Sequence, residues 1–235
     1  MSPRGTVYLI PSYLDEYSLD PLPAYIASAA RECQVFFVEN ERFARRYLRR
    51  ISKEIVIDDL EWFAIHKAET EQTAAFRQKI SEGKTIGIIS DAGCPGIADP
   101  GQLLIRVAHQ IGAVVRPLAG PSSVFLALMA SGMNGQYFQF VGYLPIDQAK
   151  RVQAIKNLEK ESRKNNATQI FIETPYRNNQ LVDTLVKTCE PSTRLCIAAG
   201  LTSQAESIRT KTIGEWKSDM PDLHKKQVVY CLCAQ

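Results

Sequence analysis

The stretch from residue 85 to residue 111 constrains the fold of this chain more strongly than any other. Residues 85–89 are apolar and rich in β-branched side chains, which is typical of a short buried strand. Apolar residues then recur at helical spacing as far as Ile111, and Asp99 and Pro100 stand where an N-cap and a first helical residue belong. The sequence therefore predicts a strand, a loop and a helix in immediate succession.

The loop between them, residues 90–101, reads Ser-Asp-Ala-Gly-Cys-Pro-Gly-Ile-Ala-Asp-Pro-Gly. Its glycines allow a ligand to approach the backbone, and its prolines restrict the conformations of the loop. Open α/β sheets bind ligands beyond the carboxyl ends of their strands, which is where this loop is predicted to lie. Asp91 is placed to accept a hydrogen bond from a ligand hydroxyl or amine. The alternative is a tight connection that binds nothing.

Length and composition indicate one large globular domain or two small ones, because 235 residues with 45% hydrophobic and 23% charged content can bury a sizeable core. The net charge of +3 does not by itself argue for a nucleic-acid partner. No apolar run approaches the roughly 20 residues that cross a membrane, and the chain enters a strand at residue 6 without the features of a secretory signal. We therefore expect a cytoplasmic protein with no membrane contact.

The cysteines and histidines give no metal-binding pattern. No two of the six cysteines form a C-x-x-C pair, and the three histidines lack the spacing of a zinc site. The cysteines stand mostly among apolar residues, which suits reduced thiols in a core. We expect no bound metal.

Strands and helices alternate along both halves of the chain, which predicts an α/β fold. The expected strands occupy residues 6–10, 34–38, 54–57, 85–89 and 113–117, then 137–141, 168–172, 194–199, 207–213 and 227–233. We place a boundary near residues 117–120, which gives domains 1–117 and 118–235 that each direct a loop and a helix start toward a shared crevice. The turn after the first strand lacks the G-x-G-x-x-G pattern, so an ordinary dinucleotide site is not supported.

Three further helices are predicted. Residues 60–67 are expected to lead into a helix that ends near residue 80, and Thr174 and Pro175 are expected to cap and begin the helix after residue 172. The helix predicted over residues 43–51 is rich in arginine. One side of it carries Arg42, Arg46, Arg49 and Arg50, with Arg45 beside them. Such a side could contact phosphate groups, or it could be a solvated face whose charges support the helix.

The loop at residues 90–101 resembles the S-D-A-G-T-P-G-I-S-D-P-G motif of the tetrapyrrole methylase superfamily. Within that superfamily it is most similar to the branch that 2′-O-methylates a cytidine of small-subunit ribosomal RNA. Cys94 replaces the usual Thr, and Ala98 replaces the usual Ser.

Other segments extend the resemblance over nearly the whole chain. Glu39 and Arg42 match the ends of the family's E-D-T-R, and residues 120–122 match its G-P-S. Residues 173–177 are similar to its E-S-P-H-R, with Tyr176 in place of the histidine.

The resemblance implies a class III methyltransferase, in which two α/β domains hold S-adenosylmethionine (SAM) in the cleft between them, usually as a homodimer. It implies ribosomal RNA of the 30S subunit as the methyl acceptor. The positions that it assigns to the cofactor are Pro11, Asp91, Ala92, Gly93, Ile97, Ala98, Ser122, Ser123, Ile172, Leu201 and Thr202.

Methyl transfer requires above all that donor and acceptor be aligned, and a 2′-hydroxyl must also lose its proton. Glu39, His66 and Asp91 are the candidates for that catalytic role, although Asp91 could instead only hold the cofactor. The candidates for contact with the substrate are Arg42, Arg46, Tyr176 and Arg177.

Departures from the family pattern keep two alternatives open. Asn40 and Glu41 differ from E-D-T-R, and Ala199, Gly200 and Ser203 stand where the family usually has Arg, Glu and Lys. The chain could methylate another acceptor, such as a tetrapyrrole, another small molecule or a protein. It could also be a SAM-binding module that has lost catalysis.

Overall fold

The computed structural model describes residues 5–65 and 69–234. The chain divides into two compact units, Met1–Ser122 and Ser123–Gln235, and each unit contains one five-stranded sheet with helices packed on it. The predicted α/β class is confirmed. Within the described residues, the helices are all too short or too polar to cross a membrane.

The first unit is built on an entirely parallel sheet. Its strands are β1 (Thr6–Ile10), β2 (Val35–Val38), β3 (Glu61–Ala64), β4 (Ile86–Ile89) and β5 (Val114–Pro117). Its helices are α1 (Tyr25–Glu32), α2 (Glu41–Ile51), α3 (Thr73–Ser81) and α4 (Gln102–Gln110). The strands lie in the order β3-β2-β4-β1-β5. The carboxyl ends of all five strands therefore meet at one edge.

Side chains alternate between the two faces of this sheet, and each face has its own core. Ile10, Phe36 and Val38 pack with α1 and α2 on one face, while Val7 and Phe37 pack with α3 and α4 on the other. Strand β4 lies between β2 and β1, but its following helix covers the opposite face from theirs. This change of face is the topological switch point at which open α/β sheets bind ligands, and β4 carries the loop at residues 90–101 to it.

The third strand was predicted in the wrong place. The structure has no strand at residues 54–57, and β3 is formed instead by a segment that was predicted to lead into a helix. Trp62 stacks on Phe36 with ring centroids 5.2 Å apart, and Phe63 stacks on Phe37 at 4.7 Å. These aromatic pairs are cross-strand neighbours, so their packing favours strand over helix here.

The second unit has a mixed sheet in the order β6-β7-β10-β8-β9. Its strands are β6 (Phe138–Tyr143), β7 (Thr168–Ile172), β8 (Arg194–Ala199), β9 (Ser207–Thr212) and β10 (Val228–Cys233). Its helices are α5 (Ser123–Ser131), α6 (Gln148–Asn165), α7 (Asn178–Thr188) and the short α8 (Ile213–Trp216). Only β6 and β7 pair in parallel among these described strands.

The core of the second unit contains three large aromatic side chains. Phe171 and Tyr230 stack with ring centroids 5.5 Å apart, and the buried indole of Trp216 donates to the carbonyl of Leu195 at 2.9 Å.

The helix after β7 begins later than predicted. Its N-cap is Arg177, because residues 174–177 form a turn closed by a hydrogen bond from the Arg177 N–H to the Thr174 carbonyl.

Candidate functional site

Hydrogen bonds and close packing join the loops at the carboxyl edge of the first sheet. The backbone N–H of Ser12 donates to the carbonyl of Gly93 at 2.8 Å, and its hydroxyl donates to the carbonyl of Ser90 at 3.0 Å. The Tyr47 hydroxyl donates to the carbonyl of Pro11 at 2.6 Å. A Cβ added to Gly120 would lie 2.3 Å from the ring of Pro11, so only glycine allows this approach. The loops after β1, β4 and β5 are thus one packed structure.

Glu39 and Asp91 meet at this edge. Glu39 follows β2 and Asp91 lies just beyond β4, and these two strands are neighbours. The Asp91 N–H donates to Glu39 Oε2 at 3.1 Å, and both side chains are half-buried. The structure therefore brings together two of the three residues predicted to be catalytic. The third, His66, lies outside the described residues.

A third carboxyl group, on Asp99, belongs to the same cluster. Burial and the nearby charges of Glu39 and Asp91 raise the pKa of Asp99 to about 7, against a weaker opposing effect of the Ser90 hydroxyl. A carboxyl group with such a pKa can both accept and donate a proton near neutral pH. Sequence reasoning missed this role because the Asp-Pro pair is also a helix-start signal. No group of three or more His, Cys, Asp or Glu side chains in the described part of the chain is arranged to hold a metal ion.

The prediction that Asp99 and Pro100 begin helix α4 is wrong. The N-cap is Gly101, with a φ of +122°, and it has no side chain to accept the first helical N–H groups. Glu69 supplies the acceptor from another loop. Its Oε1 atom accepts from the N–H groups of Gly101, Leu103 and Leu104 at 3.1, 2.7 and 3.2 Å. Asp99 therefore does not cap α4, and its carboxyl group lies near those of Glu39 and Asp91.

The conformation of the central loop depends on several left-handed residues. Gly93 and Gly96 have φ values of +75° and +78°, and Ala98 has a φ of +66° despite its side chain. Ile97 is 42% exposed and lines a cavity of about 350 Å³ together with Cys94 and Leu118. Ala92 and Ala98 are also exposed. The loop therefore presents Ala92, Ile97 and Ala98 at its surface, whereas Asp91 is half-buried and Gly93 is buried.

The thiol of Cys94 lies under the same loop. Burial raises its pKa, so the protonated form is favoured. Its sulfur lies 3.5 Å from the carbonyl oxygen of Pro121, within the reach of a thiol donor. This contact suits a packing role for Cys94 between the loop at residues 90–101 and the segment that ends at Ser122.

The predicted substrate residues of the first unit lie on α2. Asn40 caps this helix by accepting a hydrogen bond from the Phe43 N–H at 3.1 Å. Although Asn40 departs from the family's E-D-T-R pattern, it is therefore still a good N-cap. Arg42 and Arg46 are exposed on its outer side. Because α2 begins at Glu41, its first turn lies beside Glu39.

In the second unit, Glu173 and Arg177 follow β7. The buried Oε1 atom of Glu173 accepts from the Nε and Nη2 atoms of Arg177 at 3.0 and 2.7 Å. The other oxygen, Oε2, is buried and has no hydrogen-bond partner among the residues the structure describes. Tyr176 is 71% exposed and packs edge-on against His224. Ile172, half-buried at the end of β7, directly precedes this pair.

The loop after β8 contains a strained residue. Thr202 has a φ of +68°, which is rare for a β-branched residue, and its hydroxyl oxygen is buried without a hydrogen-bond partner in the described ranges. Leu201 beside it is buried. A polar ligand atom would satisfy this hydroxyl. Ser123, the remaining predicted cofactor residue, is the first residue of α5.

Comparison with known proteins places the fold. The chain matches the sequence model of the Tetrapyrrole (Corrin/Porphyrin) Methylases over residues 21–217. Among solved structures it resembles the methyltransferase CobJ, with a TM-score of 0.63 and 19% identity over 99% of this chain and 95% of that one. It also resembles diphthine synthase, with a TM-score of 0.69 and 13% identity over 97% and 89%. These structural likenesses concern the fold alone.

Two curated relatives share the name ribosomal RNA small subunit methyltransferase I. The protein of Escherichia coli O157:H7 is 33% identical over 71% of this chain and 58% of its own length. The protein of Halalkalibacterium halodurans is 31% identical over 78% of this chain and 60% of its own length. The chain thus spans about three fifths of the length of these relatives. Because the family model covers most of the sequence, the chain belongs to the tetrapyrrole (corrin/porphyrin) methylases.

Proposed function

We propose that this protein is a SAM-dependent methyltransferase that 2′-O-methylates a cytidine of small-subunit ribosomal RNA. Its family and the names of its relatives support this function. The structural observation that carries it is the carboxyl cluster of Glu39, Asp91 and Asp99 on packed loops at the switch point of the first sheet.

The residues present fit SAM chemically. The cofactor has an amine and ribose hydroxyls, which are donors suited to carboxylate acceptors such as Asp91, and the orphan hydroxyl of Thr202 can pair with a further polar atom. When bound, SAM supplies a methyl group activated by its sulfonium. The residues proposed to hold it are Pro11, Asp91, Ala92, Gly93, Ile97, Ala98 and Ser122 of the first unit, and Ser123, Ile172, Leu201 and Thr202 of the second.

We add Asp99 to the proposed catalytic residues Glu39, His66 and Asp91. A 2′-hydroxyl must lose its proton as its oxygen forms the new bond to carbon, and the best acceptor has a pKa near the working pH. Asp99 combines a pKa of about 7 with a place against Glu39 and Asp91. In this scheme Asp99 accepts the proton, while Glu39 holds the loop through its hydrogen bond to the Asp91 N–H.

On the substrate side, Tyr176 and Arg177 have different proposed roles. The exposed ring of Tyr176 offers a face on which a base can stack. Arg177 is engaged by Glu173, so it positions the turn that presents Tyr176. A Tyr176→Ala variant is therefore expected to weaken RNA binding, with SAM binding retained.

Two measurements test the proposal. Calorimetric titration with SAM should give saturable one-site binding that weakens at least tenfold in Asp91→Ala and is unchanged in Asp20→Ala, an exposed aspartate of the same unit. Incubation with tritiated SAM and 30S subunits that lack 2′-O-methylation should label one cytidine. Absence of SAM binding by the folded protein would overturn the proposal.

The loop after β8 favours a second candidate, a SAM-dependent methyltransferase of a different acceptor or a SAM-binding module without catalysis. Small residues form a tight turn there, in which the Ser203 hydroxyl donates to the Gly200 carbonyl at 2.7 Å. The family's charged residues are absent from positions 199, 200 and 203. Tight SAM binding with no transfer to 30S subunits, but transfer to a tetrapyrrole, another small molecule or a protein, supports another acceptor. Binding with no transfer to any acceptor supports the non-catalytic module.

The proposal includes a homodimer in the cytoplasm, where 30S subunits are found. Residues 117–146 contain no Asp, Glu, Lys, Arg or His, and several of their apolar side chains are exposed. Phe125 and Met129 lie one turn apart on α5, and Phe125 contacts Phe138 with ring centroids 6.0 Å apart. An uncharged apolar face needs no charge complementarity to pair with its own copy. Sedimentation should therefore give a dimer that Met129→Glu converts to monomers.

A further inference from the structure

Helix α2 carries five arginines and one glutamate on the sides that do not face the core. Its apolar side is buried in the first unit through Ala44, Tyr47 and Leu48. All the arginines therefore project from the remaining surface of the helix, and the contacts of each show which of them support the fold.

Two of these arginines are engaged within the unit. Arg45 donates from Nε to Glu41 Oε1 at 2.9 Å and lies over the ring of Trp62, 5.1 Å from its centroid. Arg50 donates to the carbonyl of Glu16 and lies over the ring of Tyr13 at 5.2 Å. These contacts give both side chains a structural role.

The other three, Arg42, Arg46 and Arg49, form what we call the arginine face. All three are exposed, and none has a hydrogen bond or ion pair with any residue in ranges 5–65 and 69–234. Spacings of four and three residues place them on one side of the helix, over about 10 Å of its axis. They line a surface hollow of about 430 Å³ together with Glu41 and Arg45.

We propose that the arginine face binds the phosphate backbone of an RNA strand. Guanidinium groups form paired hydrogen bonds with phosphate oxygens, and a row of three along a helix can contact successive phosphates. The proposal deepens the proposed function, because it assigns how the RNA substrate is held and adds Arg49 to Arg42 and Arg46. Since α2 begins two residues after Glu39, the bound strand would start beside the carboxyl cluster.

The chemistry of the face favours RNA over a membrane. A helix that lies in a membrane surface exposes apolar side chains between its cations, whereas the apolar residues of α2 are buried or half-buried in its own unit. The acids Glu41 and Asp58 both pair with Arg45, which is not part of the arginine face. The positive charge of the three arginines is therefore available to an anionic polymer.

Fluorescence anisotropy with a fluorescein-labelled single-stranded RNA of about 20 nucleotides tests this proposal. The test variant replaces Arg42, Arg46 and Arg49 by Gln. The matched control replaces Lys156, Lys160 and Lys164, which are exposed along one side of α6, so that the net charge changes equally. We expect the test variant to bind at least tenfold more weakly and its log–log salt slope to become shallower by about 2, since each lost phosphate contact removes about 0.7.

Equal weakening in both variants would mean a general charge effect, and unchanged binding in the test variant would mean that RNA lies elsewhere. Either result overturns the proposal. If the test variant lost binding to phosphatidylserine vesicles but kept its RNA binding, the proposal would also be overturned. SAM titration of the same proteins tests the methyltransferase proposal separately from the RNA-binding inference. RNA binding that depends on the arginine face in a protein that does not bind SAM would sustain this inference while the methyltransferase proposal failed.

Discussion

The carboxylate of Glu39 accepts a hydrogen bond from the backbone N–H of Asp91 at 3.1 Å, across 52 residues of sequence. The bond joins the ends of two neighbouring strands whose following helices cover opposite faces of the sheet. It therefore fixes the start of the central loop at the point where the sheet is open to a ligand.

Removal of the Glu39 carboxylate should weaken SAM binding by disordering the loop, with only a small loss in the free energy of unfolding. In Glu39→Ala the half-buried Asp91 N–H loses its acceptor, at a cost of about 1 kcal/mol in the free energy of unfolding. We expect SAM affinity to fall about tenfold, because the loop must then be ordered on binding. Glu39→Gln keeps an acceptor oxygen and should retain most of the affinity. Calorimetry on both variants checks this, and equal losses in Ala and Gln would argue that charge, not the hydrogen bond, is what matters.

Glu69 should stabilise the other end of the loop. Its Oε1 atom accepts from three N–H groups at the start of α4, so Glu69→Ala should lower the free energy of unfolding by about 1–2 kcal/mol. Glu71→Ala, two residues away and exposed, is the control and should have little effect. Urea denaturation measures both. Similar values for the two variants would contradict a capping role.

The contrast between Asp99 and Glu69 shows what local sequence can predict. Several strands, among them β7 and β8, lie where the apolar patterns predicted them, because those patterns depend only on neighbours in sequence. The Asp-Pro pair at residue 99 gave an equally local signal for a helix start, yet the helix is capped by Glu69 from 32 residues away. No pattern around Glu69 indicates this contact, since it is set by how the two loops pack.

The position of strand β3 was predicted wrongly for a related reason. Trp62 and Phe63 suit a strand or a buried helix equally, and stacking on Phe36 and Phe37 decides between them. In the candidate site too, local motifs identified some residues, and contacts between distant segments identified another. Asp91 and Glu39 were identified from motifs, but the third carboxyl group of the cluster became visible only once the cap at Gly101 was known.

Gly120 should tolerate no side chain, because the loop after β5 packs directly on the loop after β1. A Cβ at this position would lie 2.3 Å from the Cβ and Cγ atoms of Pro11, so Gly120→Ala must push the two loops apart. We expect a loss of roughly 1–3 kcal/mol in the free energy of unfolding, together with weaker SAM binding. Gly135→Ala is the control, since no atom lies within 4 Å of its added Cβ. If chemical denaturation gave equal stability for both variants, the two loops would not be packed as described.

Asp99 should make the stability of the protein fall as the pH rises. The pKa of Asp99 is about 7 in the folded chain and 3.8 for an unperturbed aspartate, so the folded state binds more protons than the unfolded state between these two pH values. Stability contributed by the protonated group is complete below about pH 4 and is lost as the pH rises through 7. Asp99→Asn keeps a neutral side chain at every pH. It should therefore match the wild type near pH 4 and exceed it by roughly 1–2 kcal/mol at pH 8, after allowance for solvent screening. Urea denaturation at pH 4, 6 and 8, with Asp20→Asn as the exposed control, measures the difference, and a difference independent of pH would mean that Asp99 is not desolvated beside Glu39 and Asp91.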